Sequence, residues 1–214
     1  MPEDIRVKIC GLKRPEDVAA SVNACASYLG FNFFPKSPRY LEIPDAAALA
    51  VDVPEGVAKV ALTVDADDAL LDALTGQVPI DILQLHGSET PERVLAVKSR
   101  YGVPVMKVVG VATKDDLPLL DAHSRVADQL LVDAKPPPDA DRPGGNAVAF
   151  DWNLIASRRW SVPWMLAGGL TSENVAEGIA LTGAKQVDVA SGVEKAPGIK
   201  DAKMIADFIA AARK

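Results

Sequence analysis

The stretch RVKICGLKRPEDVAASV, Arg6–Val22, contains a strand, a turn and a helix start in seventeen residues. The run up to Cys10 is largely apolar and suits a short strand, and Gly11 permits a sharp change of direction. Pro15, Glu16 and Asp17 then give the proline and acidic first turn that begin helices, with small and apolar residues following. The same unit recurs along the chain. Val-, Ile- and Leu-rich runs IRVKIC, YLGFNFF, VAKVALTV, IDILQLH, VPVMKVV, QLLVDA, VPWMLA and KQVDVA make eight expected strands. Segments such as PEDVAASVNACAS, DDALLDALTG, PERVLAVKSRYG and SENVAEGIALTG lie between them and read as capped helices.

Strands that are apolar along their whole length suit a parallel sheet covered on its faces, and eight βα units fit a compact barrel. The expected fold class is therefore α/β, one single-domain (β/α)8 TIM barrel over residues 1–214. A doubly wound open sheet is the alternative. The chain shows neither a linker nor a strong internal repeat. Its one unusual insertion, AKPPPDADRPGGNAVAF, Ala134–Phe150, reads as a long loop between the sixth strand and the sixth helix.

Composition narrows the function classes. With 49% hydrophobic and 24% charged residues, the 214-residue chain is an ordinary globular protein able to bury a full core. A net charge of −6 argues against a nucleic-acid or membrane surface while allowing a local anion pocket. There is neither a signal-peptide pattern nor an apolar run of about 18 residues, so a cytoplasmic location is expected. Two cysteines, Cys10 and Cys25, are too few for a disulfide framework. With His86 and His123 they show no close metal-ligand spacing, so neither a metal nor a cofactor is expected.

In such a barrel the chemistry sits at the C-terminal strand ends. Those ends are polar here: Cys10, the loop residue Arg39, Gln84 with His86, Asp133, Gly168–Gly169, and Asp188 with Ser191–Gly192. A lone strand-end thiol reads first as a small buried hydrophobe, and Cys25, placed within the first helix, keeps that reading. Asp133 differs, because an acid ending an apolar strand costs several kcal/mol unless it is paired, solvated or protonated. Its simpler role is to bond nearby backbone. His86 suits a pocket wall. The glycines after strands seven and eight let backbone N–H groups approach an anion, and barrels often bind phosphate there. GGNAVAF lacks the strand context and third glycine of a dinucleotide site, so a nicotinamide is rejected. If Cys10 points into the barrel, Lys8 does too, one layer down, where Asp188 on the neighbouring closing strand is within reach as an ion-pair partner.

Six motifs in order, KICGL, GFNFFPKSPRY, LQLHG, VDAK…GG…FDW, LAGGLTSENV and VDVASGVEKAPGIKD, resemble phosphoribosylanthranilate isomerases of tryptophan biosynthesis. Many members continue with Thr-Gly after the PGG of the long loop, where Asn146 and Ala147 stand here. The resemblance implies an aldose–ketose isomerase that converts N-(5-phosphoribosyl)anthranilate to 1-(2-carboxyphenylamino)-1-deoxyribulose 5-phosphate without metal or redox cofactor. It implies that Asp133 is the acid that opens the sugar ring and Cys10 the base that removes the C2 proton. These roles would suit a raised carboxyl pKa and a thiol pKa lowered by nearby cations. It further implies that Arg39 faces the anthranilate carboxylate through two parallel bonds, that Gln84, His86 and Asp188 contact substrate, and that Gly168, Gly169, Leu170, Ser191 and Gly192 hold the phosphate. The partner is then a small phosphosugar, with no nucleic acid or membrane, and the chain is a monomer or homodimer. Other phosphosugar barrels are the nearest alternatives: an epimerase would need a His/Asp metal set and an indole-forming synthase Lys and Glu at several strand ends, and neither set is present. A non-catalytic phosphosugar-binding barrel would keep the glycine loops without needing Cys10 or Asp133. Some relatives also accept an aminoimidazole carboxamide ribotide, which leaves a dual activity open, although FFPKSPRY favours the anthranilate substrate.

Overall fold

In the computed structural model, which describes residues 5–135, 144 and 149–214, the opening stretch forms β1 (Arg6–Cys10) and α1 (Pro15–Asn23). The strands that follow are β2 (Tyr28–Asn32), β3 (Ala58–Thr63), β4 (Ile82–Leu85), β5 (Val105–Val111), β6 (Gln129–Ala134), β7 (Trp164–Leu166) and β8 (Gln186–Val189). They pair in sequence order, all parallel, and β8 closes on β1, so the expected eight-stranded barrel is present. The helices α2 (Ile43–Val51), α3 (Asp68–Gln77), α4 (Pro91–Tyr101), α5 (Leu117–Ser124), α6 (Val175–Thr182) and α7 (Ala202–Ala212) lie between and after the strands. Local chemistry sets their ends. Asp67, Thr90 and Asp201 each accept a backbone N–H at a helix start, and Gly102 and Gly183 end α4 and α6 in left-handed conformation.

Alternation along the strands sorts the core into two shells. Outward residues such as Ile9, Leu29, Phe31, Leu83 and Val109 pack against the helices, where Ile205 and Phe208 of α7 are fully buried. Each such side chain contributes about 1.5–3 kcal/mol. Inward residues Val60, Met106, Val108, Leu131 and Met165 fill the barrel. The N-terminal end is closed by a satisfied polar group: Tyr28 Oη and Gln129 Nε2 both donate to Gln186 Oε1, at 2.7 and 3.0 Å. The filled interior leaves room for chemistry only at the C-terminal mouth. No described helix is long and apolar enough to cross a membrane.

Two local expectations are corrected, and one further element is found. Cys25 is not in α1: the helix stops at Asn23, Ala26 N–H donates to Ser21 O and Cys25 N–H to Val22 O, and Cys25 takes the left-handed turn position (φ 64°) with its side chain exposed. This termination usually uses glycine, so the cysteine is a turn residue and not a packing one. After β6 the described chain carries only a 3-10 turn, Trp152–Leu154, capped by Asp151, where a sixth helix was expected. Beyond it Trp160 stacks on Trp164, with ring centroids 4.3 Å apart. After β8 the polar EKAPGIK run forms a hairpin, β9 (Glu194–Ala196) and β10 (Ile199–Lys200), turned by Gly198 (φ 77°). Asn146 and Ala147 lie outside the described residues.

Candidate active site

Cys10 and Asp133 end strands β1 and β6, on opposite arcs of the mouth, and both line one pocket. The wall also includes Arg39, His86 and Asp188, with apolar Phe34, Leu62 and Val64 on the β2–β3 side. Gly30, paired with Cys10 across β2, makes this possible: a Cβ there would stand 2.9 Å from Cys10 Sγ and 3.3 Å from Lys8 Cε. Thiol and lysine stem therefore share the space a side chain would fill.

The expected ion pair below the thiol is present. Lys8, fully buried, donates to Asp188 Oδ1 at 2.8 Å. Burial disfavours its ammonium, but the Asp188 carboxylate and the thiol beside it outweigh that and hold its pKa above the usual lysine value. The expectation of a lowered thiol pKa is corrected. Burial pushes the Cys10 thiol up, and the Lys8 charge opposes this only in part because Asp188 adds its own negative charge.

Asp133 Oδ1 accepts the Ala134 N–H at 2.8 Å, leaving Oδ2 to face the pocket. His86 Nε2 lies 3.4 Å from that oxygen, within ion-pair reach but with no hydrogen bond formed. Gln84 Nε2 is 3.4 Å from His86 Nδ1, so the Gln84 amide steadies the ring edge away from Asp133. Gln84 itself is fully buried and does not line the pocket, because strand alternation sets it one layer below the mouth, beneath His86. Gly144 seals this side: a Cβ there would fall 2.7 Å from His86 Cε1 and 2.9 Å from Asp133 Oδ2.

Arg39 lies at the opposite wall, buried and already engaged. Its Nε and Nη2 each donate to Glu194 at 2.8 Å, so the edge expected for a ligand carboxylate is occupied from within. The end formed by Nη1 and Nη2 is the part left to face a ligand. Its loop is set by Asn32, which accepts from Phe34 N–H and donates to Ser37 Oγ, and Ser37 Oγ accepts the Arg39 N–H. Glu194 also accepts from Lys200 at 2.8 Å. Burial raises the Glu194 carboxyl, but the two cations more than reverse this and hold it below the usual range. Asn32, Glu194 and Lys200 were not singled out from sequence.

Gly169, Leu170, Ser191 and Gly192 line a second cavity between the loops after β7 and β8, with Thr171, Ser172, Glu173 and Met204. The loops touch, since a Cβ on Gly192 would fall 2.0 Å from Leu170 O. Gly168 stands apart from that cavity: its φ of 86° and a would-be Cβ 2.6 Å from Ala134 N and 3.1 Å from Asp133 Oδ1 make it the close packing point between β7 and β6. Among the described residues no group of three His, Cys, Asp or Glu side chains is arranged to hold a metal.

A thiol and a carboxyl set across one pocket, beside a glycine-lined cavity of the kind that takes phosphate, are the equipment of a barrel isomerase working on a sugar phosphate by proton transfer. The family model described as N-(5'phosphoribosyl)anthranilate (PRA) isomerase matches residues 7–211, and the chain belongs to that family. An N-(5'-phosphoribosyl)anthranilate isomerase from Cereibacter sphaeroides is 60% identical over 209 residues, covering 98% of this chain and 99% of the relative. The crystal structure of phosphoribosyl anthranilate isomerase from Thermotoga maritima superposes with a TM-score of 0.87 at 36% identity, over 97% of this chain and 98% of that one. A phosphoribosyl anthranilate isomerase in complex with reduced 1-(o-carboxyphenylamino)-1-deoxyribulose 5-phosphate gives 0.83 at 34% identity, with the same coverage of 97% and 98%. The chain is thus an aldose–ketose isomerase of tryptophan biosynthesis, and its reaction is the rearrangement of N-(5-phosphoribosyl)anthranilate to the deoxyribulose phosphate.

Proposed function

We propose that Asp133 and Cys10 divide the two proton transfers of this rearrangement. The Asp133 carboxyl gives its proton to the furanose ring oxygen as the C1–O bond breaks, and the nitrogen lone pair forms the C1=N bond of a Schiff base. The Cys10 thiolate then takes the proton from C2. The C2–H electrons form a C1=C2 bond, the nitrogen regains its lone pair, and the resulting enolamine tautomerises to the ketone. The observation that carries this assignment is the placement of the two groups on opposite arcs of one pocket, since acid and base act on different parts of the same sugar. Lys8 beneath the thiol stabilises the thiolate, and Asp188 keeps Lys8 charged.

The anthranilate ring packs against Phe34, Leu62 and Val64, with its carboxylate on the Nη1–Nη2 end of Arg39, while the phosphate occupies the cavity at Gly169, Leu170, Ser191 and Gly192. Arg39→Ala is expected to raise KM roughly 10- to 100-fold, corresponding to about 1.5–3 kcal/mol for a lost hydrogen bond to a charged group. Steady-state kinetics, following the loss of phosphoribosylanthranilate fluorescence, checks this; an unchanged KM removes Arg39 from the site. Inorganic phosphate is expected to compete with substrate. Gly192→Ala, whose methyl group would strike Leu170 O, is expected to weaken that competition. Failure of phosphate to compete at any concentration defeats the phosphate assignment.

A further inference from the structure

Arg39 does not hold its own position. Its stem crosses Gly11, where a Cβ would come within 2.4 Å of Arg39 Cδ, and the preceding Pro38 O lies where a Cβ on Gly198 would come within 2.5 Å. The guanidinium is then gripped along its Nε–Nη2 edge by Glu194, whose side chain is 3% exposed and sits on β9, 155 residues further along the chain. Glu194 Oε1 is shared with Lys200, which in turn donates to Ala190 O at 2.8 Å, at the pocket wall just before Ser191. Two buried basic side chains, Arg39 and Lys200, thus converge on the one Glu194 carboxylate, and burial draws the Lys200 ammonium down from its ordinary value. Stability alone is a weak reason for such a cluster, because buried ionic groups are often replaceable by apolar ones without loss. What the ionic arrangement supplies is direction: a two-point grip on one guanidinium edge turns the Nη1–Nη2 end toward the pocket.

We infer that Glu194 is a positioning residue for substrate recognition, fixing Arg39 so that its free end meets the substrate carboxylate on every binding event. This rests on the reading that Arg39 contacts that carboxylate. Glu194→Gln is the informative change. The amide oxygen can still accept from Lys200 and from Arg39 Nε at the Oε1 place, whereas the amide NH2 at the Oε2 place meets the Nη2 donor of Arg39, so the two-point grip is reduced to one. The expected result is a KM for phosphoribosylanthranilate raised roughly 10-fold with kcat within about threefold of wild type. Inhibition by inorganic phosphate stays unchanged. Glu194→Asp, which retains the charge but withdraws it by one methylene, is expected to give a smaller rise. Combining Glu194→Gln with Arg39→Ala is expected to add nothing to the KM of Arg39→Ala alone, because the first residue acts only through the second.

A folded Glu194→Gln enzyme with wild-type KM overturns the inference, as does a double variant whose KM multiplies the single effects. A loss of phosphate inhibition in step with KM also overturns it, since that marks general loosening of the β8 side. Should Glu194→Gln fail to fold, Glu194→Asp alone and combined with Arg39→Ala gives the same comparison. Wild-type KM in Arg39→Ala defeats the reading of Arg39 itself; raised KM in Arg39→Ala with wild-type KM in the Glu194 variants defeats only the inference.

Discussion

Cys10→Ser is expected to lower kcat by about two to four orders of magnitude, the range lost when a positioned proton-transfer group is removed, while KM and the folded structure change little. Serine is nearly isosteric and the site demands that: Gly30 leaves room for the sulfur and for the Lys8 stem but for nothing larger. A packing role would tolerate the swap, whereas a base role would not, because a hydroxyl gives up its proton far less readily than a thiol. The pH dependence follows from the same geometry. Burial raises the Cys10 thiol above its ordinary value, against the partial opposition of Lys8, so the neutral thiol dominates near neutrality. The active thiolate therefore increases as pH rises toward the thiol pKa, and where C2 deprotonation limits turnover the wild-type rate is expected to climb across that range. In Cys10→Ser this limb is expected to vanish. A pH–rate profile of both proteins checks it, and near-normal turnover by a folded Cys10→Ser enzyme would falsify the base assignment.

The barrel was legible because both faces of its strands are covered. Strands such as β2 and β6 are buried at every position, so they read as unbroken apolar runs, and any polar residue that interrupts one is conspicuous. That is why Cys10, Asp133 and Asp188 stood out. The Lys8–Asp188 pair was legible although 180 residues separate the partners, because strand alternation and closure of β8 on β1 put them in one layer. The Arg39–Glu194 pair joins two loop and hairpin positions that no strand register relates, and EKAPGIK looks like an ordinary polar turn. Gln84 was marked by being polar at a strand end, and alternation puts it below the mouth, 3.4 Å from His86. The direction of the thiol pKa was misjudged because sequence reveals the nearby cation and not the depth of burial or the second charge of Asp188.

Asp133→Asn is expected to produce a loss comparable with that of Cys10→Ser, about two to four orders of magnitude in kcat, with KM within about threefold of wild type. The amide keeps the local shape: its oxygen can still accept the Ala134 N–H that Asp133 Oδ1 accepts at 2.8 Å, with its NH2 at the place of Oδ2, 3.4 Å from His86 Nε2. What it lacks is a proton that can be surrendered to the ring oxygen as the C1–O bond breaks. His86, on the same pocket wall with its Nε2 3.4 Å from Oδ2, is close enough to orient the carboxyl. The double variant separates this account from mere damage to the pocket. Ring opening and C2 deprotonation follow one another on a single substrate, so blocking either already stops the route, and the double variant should lose much less than the product of the single losses. Fully multiplicative losses, or a KM that rises in step with the fall in kcat, would show that Asp133 shapes the pocket instead of supplying the proton.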